Sequence, residues 1–88
     1  MELLNSFVGH EVVLDMIAPF VYLGRLMSCD AHYLVLDEAD VHDLRDTTTT
    51  RENYVVDSKR LGIRTNRERV VVRLDQVISV SRLADVIL

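Results

Sequence analysis

The side chains of this 88-residue sequence that have chemically reactive types do not form a recognisable catalytic constellation. Ser79 and Ser81 lack the Gly-x-Ser-x-Gly setting that exposes a serine nucleophile. Cys29 lies at the end of an apolar stretch, where a cysteine is most simply a small packed side chain. No acid–base arrangement is visible elsewhere in the sequence, so we expect a protein that is not an enzyme and needs no cofactor.

Metal binding has little support in the spacing of the candidate ligands. Five acidic residues fall within one short stretch: Asp37, Glu38, Asp40, Asp43 and Asp46. This stretch lacks the glycine and the terminal glutamate of a calcium loop. The three histidines have no local zinc spacing, which leaves His42 beside Asp40 and Asp43 as the one alternative. We expect a solvated acidic face and no metal site.

Several other polar and aromatic residues have explanations that need no ligand. His32 lies in a predicted turn, where a histidine is most simply an exposed polar residue. Arg73 lies at the end of a predicted strand and can pair with Asp30 or Asp75. The tyrosines are expected as core or interface rings rather than as a stacking platform: Tyr22, Tyr33 and Tyr54.

Charge is divided unequally along the chain. Residues 1–46 carry nine acidic and two basic side chains (net −7), whereas residues 47–88 carry eight basic and five acidic side chains (net +3). The overall charge of −4 argues against strong non-specific binding of phosphates. The two halves either neutralise each other, within or between protomers, or leave a local basic surface for nucleic acid.

Length and composition predict one small domain in an oligomer. No apolar run approaches the ~18–20 residues that span a bilayer, so we expect no membrane association. No secretory signal is visible and one cysteine cannot form an internal disulfide, which favours a cytoplasmic protein. A chain this short that is 49% apolar has more apolar surface than its own core can bury, so we expect homo-oligomerisation.

The periodicity of apolar residues predicts a short N-terminal helix and then five strands. The helix covers about 2–8 and ends at Gly9. The strands cover about 10–16, 20–29, 33–40, 68–74 and 76–81. Gly24 interrupts the second strand, where a glycine commonly marks a bulge or a sharp bend. Five short, strongly bent strands close most naturally as a small open barrel.

Residues 41–67 form an insertion between the third and fourth strands. A capping box at 49–52 and Gly62 beyond a basic turn predict a helix over about 50–61. The competing interpretation is a strand at 54–56, because valines are poor helix formers. The length and charge of this insertion make it a candidate surface for protein partners.

Two motifs in this order resemble those of the Sm/LSm family. The first runs through the first three strands and corresponds to Gly9-x-x-Val12-x-Leu14, Tyr22-Leu23-Gly24-Arg25-Leu26 and Asp30-Ala31-His32-Tyr33-Leu34-Val35-Leu36. The second, commonly Ile-Arg-Gly-Asp-Asn-Val, corresponds to Val72-Arg73-Leu74-Asp75-Gln76-Val77. The resemblance covers about 3–40 and 68–81 and leaves the insertion outside.

This resemblance implies a single Sm-like domain over residues 1–88: a strongly bent, five-stranded open barrel capped by the N-terminal helix. In that family the fourth strand of one protomer pairs with the fifth strand of the next, which implies a homo-oligomeric ring of five to seven subunits. It also implies that single-stranded RNA binds around the pore of the ring.

The same resemblance assigns roles to four residues. His32 matches the position that stacks on a base, and Arg73 matches the motif arginine that contacts bases or phosphate. Asp75 would orient that arginine or a base edge, and Asp30 would brace the loop by accepting backbone N–H groups.

The sequence departs from the family pattern at two positions. The family's base-reading asparagine is Leu34 here, and the glycine that follows the motif arginine is Leu74. The alternative function is therefore an Sm-like ring that acts as a protein-interaction scaffold and has lost RNA binding.

Overall fold

Five antiparallel strands form one sheet in the computed structural model, which describes residues 2–46 and 48–88. The strands are β1 (Glu11–Met16), β2 (Phe20–Cys29), β3 (Tyr33–Asp43), β4 (Arg67–Arg73) and β5 (Val77–Arg82). Their order in the sheet is β4-β3-β2-β1-β5, so β4 and β5 lie at its open edges. Met1 and Thr47, which belong to the predicted domain and its insertion, lie outside the described residues. The predicted all-β architecture with a short N-terminal helix is confirmed.

The N-terminal helix is shorter than the predicted range 2–8. Helix α1 covers Glu2–Asn5, and the chain then tightens into turns. The amide of Phe7 donates to the Leu4 carbonyl at 3.0 Å, and the amide of Val8 donates to the Asn5 carbonyl at 3.1 Å. These bonds reach back three residues rather than four, which is the usual tightening at a helix end. Gly9 follows with a φ of 89°, a conformation that only glycine adopts at little cost.

One face of the sheet and α1 enclose the larger of two apolar clusters, which we call the main core. Its buried members are Leu4, Val12, Leu14, Met16, Leu26, Leu34, Leu36, Ala39 and Val72. The strands supply alternate residues to this cluster, as expected for a sheet with two distinct faces. The burial of four leucines with no exposed area makes the main core the largest source of hydrophobic stabilisation.

The sheet bends where β2 and β3 approach each other at Gly24. A Cβ on Gly24 would lie 3.1 Å from the Asp37 carbonyl oxygen and 3.1 Å from the Ala39 Cβ. The pairing register shifts on either side, between Leu23 and Arg25. Glu38, opposite the glycine, has a φ of 51°, which is uncommon for a residue with a side chain. The irregularity predicted at Gly24 is therefore present as a shift in register, and the close approach beside it depends on the absence of a side chain.

We expect Gly24→Ala to destabilise the protein by about 1–3 kcal/mol, because the new methyl group would push β3 away from β2. Urea unfolding followed by circular dichroism measures the change. Ser28→Ala, at an exposed position of the same strand, is the control and should stay within about 0.5 kcal/mol of the parent protein. Equal stability of the two variants would contradict the role assigned to the close approach.

The insertion between β3 and β4 contains a helix, so the predicted helix is confirmed and the alternative strand is wrong. Helix α2 covers Arg51–Leu61. Its N-cap is Thr50, whose side-chain oxygen accepts a hydrogen bond from the Asn53 amide at 3.2 Å. The predicted capping box at 49–52 is therefore wrong by one residue. Neither helix of the described chain is long and apolar enough to cross a bilayer.

Helix α2 and the C-terminal segment cover the other face of the sheet. A second core forms there from Val13, Val21, Leu23, Val55 and Leu83. The ammonium of Lys59 on α2 also donates to the Ala84 carbonyl at 2.7 Å, which ties the C-terminal segment to the helix. The sheet is therefore packed on both faces along β1 and β2.

Polar contacts also hold α2 against the sheet. Asp40 is buried and accepts hydrogen bonds from the Tyr54 hydroxyl and from the Asn66 amide nitrogen, the latter at 2.9 Å. Burial raises the pKa of the Tyr54 hydroxyl far above its ordinary value, and the hydrogen bond to Asp40 raises it further. Tyr54 therefore stays protonated and keeps donating. Its ring stacks on His42 with centroids 3.9 Å apart and an interplanar angle of 8°.

We expect Tyr54→Phe to lower the free energy of unfolding by about 1–3 kcal/mol, because a buried carboxylate loses one of its two donors. The matched control is Tyr22→Phe, since the Tyr22 hydroxyl makes no hydrogen bond within the described residues. Chemical unfolding of both variants, followed by tyrosine fluorescence and circular dichroism, gives the comparison. A Tyr54→Phe protein as stable as the Tyr22→Phe protein would rule out this role of Asp40.

The third strand is longer than predicted, and this shortens the insertion. β3 runs to Asp43 rather than residue 40, because its pairing with β2 continues to the Phe20–Asp43 pair. The segment between β3 and β4 is therefore 44–66 rather than 41–67. At the other end of β4, the predicted tight turn is a 3-10 turn over Leu74–Gln76, which delays the start of β5 by one residue.

Candidate nucleic-acid interface

The turn between β2 and β3 is held by the Asp30 carboxylate. Its Oδ1 accepts hydrogen bonds from the backbone amides of His32 and Tyr33, both at 2.8 Å. These two bonds hold the pKa of the Asp30 carboxyl below its usual range, so it is ionised at neutral pH. The amide of Asp30 also donates to the Tyr33 carbonyl at 3.0 Å, which closes the turn. The backbone that carries the His32 ring is thus held by hydrogen bonds to the Asp30 carboxylate.

The turn after β4 is fixed to this first turn. The Leu74 amide donates to the His32 carbonyl at 2.8 Å. Immediately before it, Arg73 is the register partner of Tyr33 in the β3–β4 ladder. The turn at 30–32 and the turn at 74–76 therefore lie side by side at one end of the sheet.

Three of the four predicted site residues meet in a shallow depression at these turns. The depression has a volume of about 370 Å³ and is lined by Ala31, His32, Tyr33, Arg73, Leu74 and Asp75. Asp30 is not in its lining and acts from behind, through the backbone of His32. The structure thus brings together residues that lie about forty positions apart in the sequence.

Arg73 and Asp75 form an ion pair at the rim of the depression. Nη2 of Arg73 lies 2.7 Å from Oδ2 of Asp75, and both side chains are more than half exposed. An ion pair this exposed contributes little to stability, so its main effect is on the orientation of the guanidinium. The remaining N–H groups of Arg73 have no partner within the described residues, and they are available to a ligand.

Tyr33 is a member of this site that the sequence analysis missed. It was expected as a core or interface ring, but 48% of it is exposed, so a core position is wrong. Its ring meets the His32 ring edge-on, with centroids 6.4 Å apart. The alternation of β3 carried the signal, because Tyr33 precedes the fully buried Leu34 and therefore faces away from the main core. The other two tyrosines pack against the apolar clusters, as expected.

The two residues that depart from the family pattern both contact the main core. Leu34 is fully buried in the main core and presents no group to the depression. Leu74 is half-buried, packs against the main core and lines the depression. The site therefore offers flat rings and cationic N–H groups, but no side-chain amide at the Leu34 position.

The acidic stretch is only in part the solvated face that was expected, since Glu38 and Asp46 are exposed but the other three carboxylates are not. Asp40 is buried beneath α2, as described above. Asp37 accepts from Nε and Nη2 of Arg69 at 2.6 and 3.0 Å, and Asp43 pairs with Arg45 at 2.9 Å. Within the described residues, no three metal-ligating side chains come together. These three carboxylates therefore serve as partners of Arg69, Arg45 and the partly buried Tyr54.

The acidic and basic halves of the chain neutralise each other in part. Arg69 reaches Asp37, and Arg51 reaches Asp15 at 2.9 Å. The same Asp15 carboxylate accepts from the Ser79 hydroxyl at 2.9 Å, which adds a side-chain contact between β1 and β5.

Comparison with known proteins identifies the fold of the chain. No protein-family model matches the sequence, and no curated protein matches it either. Among solved structures, the chain is similar to the Sm protein of Pyrococcus abyssii, which was solved in complex with a uridine heptamer. The match has a TM-score of 0.64 at 19% identity and covers 92% of this chain and 93% of that one. The chain has an Sm-like fold.

A second solved structure shares the Sm-like fold. It is a chain of the NatC complex bound to Gag peptide and CoA, with a TM-score of 0.57 at 18% identity. The alignment covers 88% of this chain and 86% of that one. The Sm-like architecture implied by the two sequence motifs is therefore confirmed, whereas the roles of the individual site residues stay predictions.

We expect Asp30→Ala to speed the hydrogen exchange of the His32 and Tyr33 amides, because both lose their acceptor. Exchange measured by NMR at neutral pH gives the result. The control is Asp57→Ala, which removes an exposed carboxylate of α2 that accepts no hydrogen bond within the described residues. Unchanged protection of the two amides in Asp30→Ala would contradict the bracing.

The same contact gives a pH dependence. The folded-state pKa of Asp30 is below its unfolded value. Its stabilisation is therefore complete above about pH 4 and is lost as the pH falls through the folded-state pKa. Protection of the two amides should weaken in that acidic range in the parent protein and be independent of pH there in Asp30→Ala.

Proposed function

We propose that this protein is a non-enzymatic, homo-oligomeric ring that binds single-stranded RNA around its pore. The observation that carries the proposal is the meeting of His32, Tyr33 and Arg73 in one depression, fixed by the bond between the two turns. Flat rings and a guanidinium are the groups on which unpaired bases stack. The Pyrococcus Sm protein with the same fold was solved with a uridine heptamer, which supports RNA as the ligand.

The two open edges of the sheet support assembly into a ring. β4 and β5 each pair with one neighbouring strand only, and Ile78 of β5 is 67% exposed. An apolar groove of about 440 Å³ runs beside β5, and Leu3, Phe7 and Ile78 are among its lining residues. Unpaired edges are a liability that proteins cover, and pairing of β4 with β5 of the next protomer would remove both. A ring of five to seven subunits would then repeat the depression around a pore.

The chemistry of the depression favours tolerant recognition of bases. Stacking accepts every base, because every base has a π-face. Arg73, oriented by Asp75, supplies charge-assisted hydrogen bonds to phosphate or to base edges. Since the buried Leu34 leaves no amide at its position, we expect similar affinities for oligo(U) and oligo(A).

The test combines the mass of the particle with RNA binding. Light scattering at about 150 mM salt should give a mass of five to seven subunits that rises when RNA is added. Arg73→Ala should keep this mass and lose affinity by about tenfold or more, because a stacking plane and a charge disappear together. The control is Arg60→Ala on α2, an exposed arginine that pairs with no carboxylate among the described residues.

Full RNA affinity in Arg73→Ala, with the ring intact, would overturn the assignment of the depression. A 10.1 kDa monomer in solution would overturn the ring.

The alternative function is a ring that acts as a protein-interaction scaffold and has lost RNA binding. Two observations favour it: the buried Leu34, and an apolar surface at the end of α2 and the C-terminal segment, where Leu61 and Ile87 are 85% and 89% exposed. A chain with the same fold is part of the NatC protein complex. In this alternative the segment 44–66 provides the contact surface. A ring of the expected mass with no saturable binding of oligo(U) or oligo(A) would favour the scaffold.

A further inference from the structure

The outward face of β4 presents a row of arginines that continues from the depression. Val70 and Val72 turn toward the main core. The alternate residues Arg67, Arg69, Val71 and Arg73 are all exposed, and we call them the β4 stripe. Arg73 belongs both to the stripe and to the depression, so the two surfaces are continuous.

The neighbouring strand adds an aromatic and a carboxylate to this face. In the β3–β4 ladder, Tyr33 lies opposite Arg73 and Asp37 lies opposite Arg69. Arg67, at the start of β4, lies opposite Ala39 of the main core and is itself exposed. The second core, with α2, covers the β1 and β2 part of the same outward face. The β3 and β4 part is left open to solvent, with Val71 58% exposed between the arginines.

Each arginine of the stripe has hydrogen-bond donors to spare. Arg69 uses Nε and Nη2 on Asp37, and Arg67 uses only Nη1, on the Asn66 carbonyl at 3.0 Å. A guanidinium carries five N–H groups, so donors remain on both residues. Arg67 has no carboxylate partner among the described residues, and its charge is uncompensated. The Asp37 pair holds the Arg69 fork in one orientation, which lowers the entropy lost when it binds a ligand.

The spacing of the stripe suits an extended polyanion. Alternate residues of a strand are about 6.6 Å apart, and the stripe from Arg73 to Arg67 is about 20 Å long. This repeat is comparable to the distance between successive phosphates of an extended single strand. Three of the four alternate positions in the stripe are arginines, and the apolar Val71 lies between Arg69 and Arg73. Cationic groups interspersed with apolar surface are typical of single-strand binding grooves.

We propose that RNA leaving the depression continues along the β4 stripe, with Arg69 and Arg67 contacting successive phosphates. This inference rests on the proposed function, because the strand must first be held at His32 and Arg73. Asp37 then has a second effect: it orients Arg69 but also competes with phosphate for it. The stripe therefore adds affinity without adding sequence preference, since phosphate contacts carry no sequence information.

The test is the salt dependence of binding of an oligo(U) of about twelve nucleotides, measured by fluorescence anisotropy. The double variant Arg67→Ala/Arg69→Ala should bind about tenfold more weakly, and the slope of log K against log salt should fall by about 1.4, since each lost phosphate contact on a single strand removes about 0.7. Asp37→Asn should bind more tightly than the parent protein, because the competing carboxylate charge is gone. Arg60→Ala, which removes one exposed positive charge outside the stripe, is the control and should match the parent protein.

The outcomes separate this inference from the proposed function. If the parent protein binds no RNA, both fall. A second outcome is that the parent protein binds RNA, Arg73→Ala does not, and the double variant matches the parent in affinity and slope. In that case the proposed role of the stripe is wrong, and the proposed role of the depression is supported. Light scattering verifies that each variant keeps its mass. If the double variant does not fold, Arg67→Gln/Arg69→Gln carries the same test, since glutamine removes the charge and keeps a donor for Asp37.

Discussion

The close approach of β2 and β3 at Gly24 is the constraint on which the rest of the structure depends. With no side chain at this position, the backbone of β3 comes within contact distance and the sheet can bend around the main core. β1 pairs with β2 on one side and with β5 on the other. The close approach also sets the direction of β3 and β4, and hence the end of the sheet at which the two turns meet.

The elements themselves were largely predictable from local sequence, because each has a local cause. Alternation, turn residues and a strand glycine identified five strands, and Gly62 beyond a basic turn placed the end of α2. The errors are those that local pattern cannot resolve. Thr49 and Thr50 are both competent cap residues by type, and Thr50 is the one that caps α2. β3 extends to Asp43 because β2 offers a pairing partner, which the composition of the segment does not reveal.

The candidate site could be predicted only in part, for a similar reason. Family resemblance named Asp30, His32, Arg73 and Asp75, and the structure places the last three around one depression. The pairing register of β3 and β4 determines the neighbours of these residues, which the resemblance does not give. Asp37 meets Arg69, and Tyr33 meets Arg73, because β3 and β4 pair in one particular alignment. A shift of one residue would turn these side chains into the core and is excluded by alternation, but alternation does not distinguish this alignment from one that is shifted by two residues.

The pairing of β1 with β5 has a consequence for how the chain folds. Val12 and Arg82 are partners in the ladder although almost the whole sequence separates them. During synthesis the β1–β2–β3 meander emerges first. The free edge of β1 stays unpaired until β5 has left the ribosome. Closure of so long a loop is slow, because the chain loses its entropy before the strand pairing can compensate for that loss. Leu83 lies just beyond β5 and packs on the same face of the sheet as Val13. The segment after β5 therefore completes the second core only after β5 has paired with β1.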